Sequence, residues 1–241
     1  MADGVEGSEL SLAGSGEAWR TRLILVRLRP DHLVFSLDTS WSESGTPKWN
    51  VDRAPADAVF AMNAGQFRSM LPWGRVVLDG HQYLRPERGP LAVTVGIDSA
   101  GRVHWTPDGE LLPSGIAWAF QSYPVILRDR EVPPALRRAD GLLDVAHRDA
   151  RLALGRLPDG SLLVAMTRFD GLGGILKSIP FGLTVPEMAA VMGALGASDA
   201  VLLDGGISAQ LLAGAGPLRI TMEGWRNVPL ALVARPRNTR Q

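Results

Sequence analysis

Short apolar runs punctuated by Gly, Pro and Asp recur along this chain, and they limit its fold more than any other feature. Runs of this length between turn residues suit β-strands and are too short to stand as independent helices. Residues 23–28 and 33–37 are separated by Arg29, Pro30 and Asp31, which predicts a β-hairpin. Residues 57–62 (DAVFAM), 74–78, 91–97, 102–105 and 116–120 continue the series. Residues 152–157 and 161–167 flank Pro158, Asp159 and Gly160, a turn that predicts a second hairpin.

One segment has helical periodicity. Over residues 185–195, Met188, Val191, Met192 and Leu195 fall on one face. Thr184 and Glu187 form a Thr-x-x-Glu capping box, and Gly196 can close the C-terminus. Glu187 thus has a structural role. Residues 199–203 (DAVLL) read as a buried strand, and residues 208–212 as a short second helix. The expected fold class is α+β: a single domain of mixed or antiparallel β-sheets with few packed helices.

Residues 1–20 are acidic and Gly/Ser-rich, without a basic start followed by an apolar run. They read as a disordered lead-in rather than a signal peptide, leaving one domain over residues 21–241 and a cytoplasmic location for the chain as written. Apolar stretches fall short of the roughly 20 residues of a transmembrane helix. At 46% hydrophobic residues and a mean hydropathy of +0.06, the 241 residues can bury a sizeable core. Twenty-five basic and 25 acidic residues cancel, with no basic stripe, so nucleic acid is not an expected partner. No cysteine is present, which excludes disulfides, thiolate metal sites and a Cys nucleophile.

Four apolar runs lead directly into small residues plus polar groups: Asn63 and Gly65 after DAVFAM, Gln121 and Ser122 after IAWAF, Arg168 and Asp170 after SLLVAMT, and Asp204, Gly205, Gly206 and Ser208 after DAVLL. Strand-end loops present functional groups on a rigid scaffold, and glycine lets backbone approach a ligand closely. Asp170 and Asp204 supply the two carboxylates that glycoside hydrolysis ordinarily uses. Arg151 can clamp a phosphate bidentately or form a strand-edge salt bridge. His147 can serve as acid or base or stand as a solvated loop residue, and Asp149 lies close by. No GxSxG, P-loop, HExxH or GxGxxG after a strand occurs. A divalent cation on Asp carboxylates and backbone carbonyls is compatible with this composition, since hard-ion sites need no histidine.

The ordered segments NAGQF (63–67), FQSYPVIL (120–127), RLALG (151–155), TRFDG (167–171), 182–208 and RNVPLAL (226–232) resemble the phosphodiester glycosidase family over residues 22–235. Its Asn-Gly-Gly-x-Phe matches Asn63 to Phe67 with Ala64 for Gly. Its Arg-Thr-Ala-Ile-Gly matches Arg151 to Gly155 with Leu152 for Thr. Its Asp-Gly-Arg matches Asp170 and Gly171 with Leu172 for Arg, and its Asp-Gly-Gly-Gly-Ser matches Asp204 to Ser208 with Ile207 for Gly. These variants are closest to a bacterial branch. The resemblance implies a hydrolase that releases a sugar from a small-molecule or glycan phosphodiester and leaves a phosphomonoester. It further implies Asp204 and Asp170 as the acid and base or nucleophile, Arg151 as the phosphate clamp, and Asn63, Gln121 and Ser208 as orienting groups. Family members are commonly exported. The alternatives are a hydrolase of another cell-envelope glycan and a non-catalytic glycan-binding module, the latter motivated by Ala64, Gln66 and Ile207.

Overall fold

The structure, a computed structural model, describes residues 2–12, 21–39, 47–69, 71–89, 91–137, 144–169 and 182–237. The strands in chain order are β1 (Val5–Leu12), β2 (Thr21–Leu28), β3 (Leu33–Thr39), β4 (Phe60–Asn63), β5 (Phe67–Arg68), β6 (Leu71–Pro72), β7 (Val76–Leu78), β8 (His81–Leu84) and β9 (Val93–Asp98). They continue with β10 (Val103–Pro107), β11 (Ile116–Ser122), β12 (Val125–Leu127), β13 (Leu152–Arg156), β14 (Leu162–Phe169), β15 (Asp199–Leu203), β16 (Leu211–Ala213), β17 (Ile220–Met222) and β18 (Leu230–Pro236). The α-helix α1 (Val185–Ala194) precedes β15.

Among the described residues three large antiparallel sheets, β1-β2-β14-β13-β15-β12, β10-β9-β11-β7-β8 and β17-β16-β4-β18-β3, are accompanied by a two-stranded β5-β6 ribbon. The fold is predominantly β, with α1 the only α-helix among the described residues, so α+β describes it only loosely. The six-stranded sheet explains its near-continuous apolar runs, because it is covered on both faces. Ile24, Val26, Leu152, Leu154, Val164, Met166, Val201 and Leu203 point into a core shared with the other two sheets. Their sequence neighbours Leu23, Leu25, Ala153, Leu163, Ala165, Ala200 and Leu202 pack with Met188, Ala189 and Met192 of α1.

The 152–167 hairpin and the helix form as expected; three other elements do not. Residues 23–28 and 33–37 do not pair: β2 lies between β1 and β14, whereas β3 pairs with β18. A single 3₁₀ turn at Pro30–His32 redirects the chain between sheets. The reason is burial, since β2 is covered on both faces and is satisfied by two strand neighbours, while β3 alternates buried Phe35 and Leu37 with Val34 at 47% exposed, the pattern of an edge. Val5–Leu12, within the expected disordered lead-in, is strand β1, paired to β2 over its whole length. An edge strand needs backbone pairing and little apolar surface, and ion pairs from Glu6 to Arg29 and Glu9 to Arg22 suit its acidic composition. Around residue 208 the chain forms a 3₁₀ turn (Gly206–Ser208) and then β16, not a helix, because Leu211–Ala213 pairs with β4 and β17 on both sides.

The capping box of α1 also reaches the neighbouring loop. Thr184 Oγ1 accepts from the Glu187 amide, Glu187 Oε2 accepts from the Thr184 amide, and Arg148 donates to both Glu187 oxygens at 2.6 and 2.7 Å. These bonds, Arg148 foremost, hold the Glu187 carboxyl below the usual carboxylate range. Thr184→Ala is expected to cost about 1 kcal/mol, lowering the melting temperature by about 2–4 °C in a chain of this size; thermal unfolding followed by circular dichroism checks it.

Candidate active site at the strand ends

Strand register gathers the site. Leu152 of β13 pairs with Met166 of β14 and Leu203 of β15, so one residue further on Arg151, Thr167 and Asp204 form a row at the sheet's end. The Arg151 amide donates to Thr167 Oγ1 at 2.6 Å, and the Thr167 amide returns a bond to the Arg151 carbonyl.

Main-chain contacts lock the loop after β15. The Asp204 amide donates to the Gly65 carbonyl at 2.9 Å, and the Gly206 amide to the Ala150 carbonyl at 2.7 Å. The buried Asn63 donates its Nδ2 to the Asp204 carbonyl at 2.8 Å and accepts the Gln210 amide at 3.0 Å. The loop requires its glycines: a Cβ on Gly205 would lie 2.3 Å from the Ala150 carbonyl oxygen. Gly206 has φ +56°, and a Cβ there would meet the Asp149 carboxylate at 2.8 Å.

Asp149 therefore sits directly over the Asp204 loop, and its charge disfavours that of Asp204. Asp204 accepts from Arg226 Nη2 at 3.0 Å, and Arg226 Nε donates to Ser208 Oγ at 2.7 Å. Burial raises the Asp204 carboxyl above its ordinary range, Ser208 and Arg226 oppose this, and Asp149 adds to it. Burial also raises Asp149, opposed by the Ala150 amide and then by Arg151, His147 and Arg168. Desolvation disfavours the charged form of each group, which is the common cause. Arg168, itself buried opposite Arg22 across the β2–β14 pair, is pushed down to about 10, first by burial and then by Arg22. It donates to the Ala209 and Glu223 carbonyls, and so ties the Asp204 loop to the turn that carries Arg226.

Of the residues predicted from sequence, Asp204, Ser208, Gly205, Gly206, Gly65 and Asn63 come together here. Asp170 lies outside the described residues. Gln121 and Ser122, expected as substrate contacts, bond main-chain groups. Gln121, 1% exposed, bonds the Arg75 and Glu87 main chain, and Ser122 Oγ donates to the Leu202 carbonyl at 2.6 Å. Among the described residues Arg151 forms no salt bridge; its Nε donates to the Leu183 carbonyl and its Nη2 to the His147 carbonyl. Among the described residues no group of three or more His, Asp or Glu side chains is arranged to hold a metal. Sequence reasoning passed over Asp149 as a site residue and Arg226 altogether. The only signals were Asp149's place two residues before Arg151, and Arg226's place at the head of the RNVPLAL run.

A larger cleft of about 950 Å³ lies at the Pro158–Gly160 turn, the opposite end of the β13–β14 hairpin. Arg156, on its wall, is ion-paired with Asp199 at 2.6 Å, so its cation is already engaged.

Comparison with known proteins follows the same outline. The sequence model of a family described as phosphodiester glycosidase matches residues 56–238. The catalytic domain of zebrafish N-acetylglucosamine-1-phosphodiester alpha-N-acetylglucosaminidase, auto-inhibited by its pro-peptide, superposes with a TM-score of 0.73 at 15% identity, covering 98% of this chain and 85% of that one. A hypothetical protein from Synechocystis superposes with a TM-score of 0.65 at 13% identity, covering 98% of this chain and 62% of that one. At these identities the likeness shows the fold. No curated protein sequence matches the chain.

Two variants probe the geometry. Gly205→Ala is expected to displace the Asp204 loop and lower the melting temperature. Asp149→Asn acts in the other direction: a carboxyl raised on folding holds its proton in the native state after the unfolded chain has released it. It therefore subtracts stability as pH rises through and above the ordinary carboxylate range. The variant is expected to melt a few degrees higher than wild type near pH ~7, with the gain vanishing near pH ~3. Differential scanning calorimetry across that range checks both.

Proposed function

The chain belongs to the phosphodiester glycosidase family, and on that premise we propose that it hydrolyses the bond between a sugar's anomeric carbon and a phosphoryl oxygen, using Asp204 and Asp149. The observation that carries this reading is the pairing of these two carboxylates over one glycine-rich loop, with Arg226 and Ser208 on only one of them. Glycoside hydrolysis needs two carboxyl groups in different protonation states, and unlike environments separate them. Arg226 and Ser208 favour the charged form of Asp204, which in this reading supports the cationic anomeric carbon. Asp149 receives one hydrogen bond among the described residues, from the Ala150 amide at 2.8 Å, and is the proton carrier in this reading.

In the reaction the C–O bond to phosphate breaks and its electron pair stays on the phosphoryl oxygen. Water adds its hydroxyl to the anomeric carbon, and its remaining proton balances the phosphomonoester. Arg226, 46% exposed, has no bond from Nη1 among the described residues, and in this reading an N–H there meets developing phosphoryl charge at little reorganisation cost. Arg151 holds the loops on either side of Asp149 and acts on the phosphate through that positioning. The expected substrate is a small molecule or glycan that carries a sugar phosphodiester.

The test is release of free sugar and phosphomonoester from a panel of sugar phosphodiesters that includes UDP-N-acetylglucosamine. Asp204→Asn and Asp149→Asn are each expected to reduce kcat about 10²–10⁴-fold. The wild-type kcat/KM profile is expected to be bell-shaped and to fall on the alkaline side as Asp149 loses its proton, and Asp149→Asn should abolish that alkaline limb. Full activity in either variant would overturn the assignment of that residue. Saccharide binding without turnover on any substrate would instead point to a glycan-binding module.

A further inference from the structure

Trp225 is 57% exposed, although it stands one residue before the arginine that holds Asp204. Its backbone is docked on the site, not on a free loop. The Trp225 amide donates to the Ile207 carbonyl at 2.8 Å, and the preceding Gly224 packs so closely that a Cβ would meet the Ser208 carbonyl oxygen at 3.2 Å. Arg168 bonds the Glu223 carbonyl, so the turn that presents Trp225 is held from both sides. Ile207, 41% exposed, lies across the Trp225–Ile207 hydrogen bond and adds a second apolar surface. The turn thus presents an exposed indole in a fixed position next to the arginine that holds Asp204.

The surroundings select the ligand. Trp225 lines a shallow groove of about 90 Å³ together with Asn50, Asp52, Gln210, Glu223, Arg226 and Asn227. Asn50 Nδ2 donates to Asn227 Oδ1, while Asn50 Oδ1 has no hydrogen-bond partner among the described residues. The groove therefore offers an aromatic face, two carboxylates, one guanidinium and three amides. The carboxylates accept from hydroxyls, the guanidinium of Arg226 meets a phosphoryl group at the rim, and the indole face attracts the polarised C–H bonds of a sugar ring. A neutral pyranose has both features, a C–H face and a hydroxyl rim.

From this geometry we infer that Trp225 and the Asn50–Asp52–Glu223 groove form a saccharide subsite, which orients a neutral sugar ring next to Asp204 and sets substrate preference. The subsite rests on the hydrolase reading only for its catalytic consequence; sugar binding stands without it.

The experiment has two arms. In the first, the ¹⁵N-labelled protein is titrated separately with glucose, galactose, mannose and N-acetylglucosamine. The Trp225 indole N–H signal, assigned by its loss in Trp225→Phe, is followed by NMR. At least one sugar is expected to shift this signal saturably in the millimolar range, and no shift with any of the four would overturn the proposal. In the second, Trp225→Ala is expected to raise KM for a sugar phosphodiester about tenfold, or about 1.4 kcal/mol, with kcat within about a factor of two. Trp225→Phe should restore most of the loss. An unchanged KM in Trp225→Ala, with turnover intact, would sink the subsite and leave the hydrolase reading standing. A shifted indole without turnover on any phosphodiester would do the reverse.

Discussion

The loop after β15 is held by main-chain hydrogen bonds from separate parts of the chain, and the candidate site depends on that suspension. Gly65 receives the Asp204 amide, Ala150 receives the Gly206 amide, and Asn63 bridges Asp204 to Gln210. Because backbone groups make these contacts, any side chain at Gly205 would break them, and the Asp-Gly-Gly run is a steric requirement as well as a turn signal. Fixing the loop in this way places the Asp204 carboxylate against Arg226 and beneath Asp149 without relying on a flexible side chain to find its position.

The same economy explains why so many polar residues at the strand ends bond main-chain groups. A buried N–H or C=O must find a partner, and where three sheets meet their ladders end with unpaired groups. Gln121, Ser122, Asn63 and Gln210 supply those partners, each 1% exposed or less. Arg151 and Arg168 do likewise with loop carbonyls. The candidate site among the described residues is small: Asp204, Asp149, Arg226 and Ser208. Its charges are expensive. Two carboxyls are raised by burial and Arg168 is lowered to about 10, so the site works against the stability of the fold that holds it.

Sequence alone was enough for the β-rich character, the β13–β14 hairpin, the capped helix and the identity of the Asp204 loop, because each is written in local chemistry: strand-length apolar runs, a Pro-Asp-Gly turn, a Thr-x-x-Glu box, an Asp-Gly-Gly strand end. Tertiary structure decided the rest. The β1–β2 and β3–β18 pairings join segments whose composition does not name its partner; backbone hydrogen bonding is nearly blind to side-chain identity, and an acidic edge strand resembles a disordered tail. Whether a strand-end amide or hydroxyl faces a ligand or the main chain depends on what the neighbouring sheet leaves unsatisfied, and so Gln121 and Ser122 were legible as polar but not as partners of main-chain groups. The partnership of Asp204 with Asp149 and Arg226 likewise brings together distant stretches of chain, and no spacing in one segment encodes an electrostatic contact that only the packing of sheets creates.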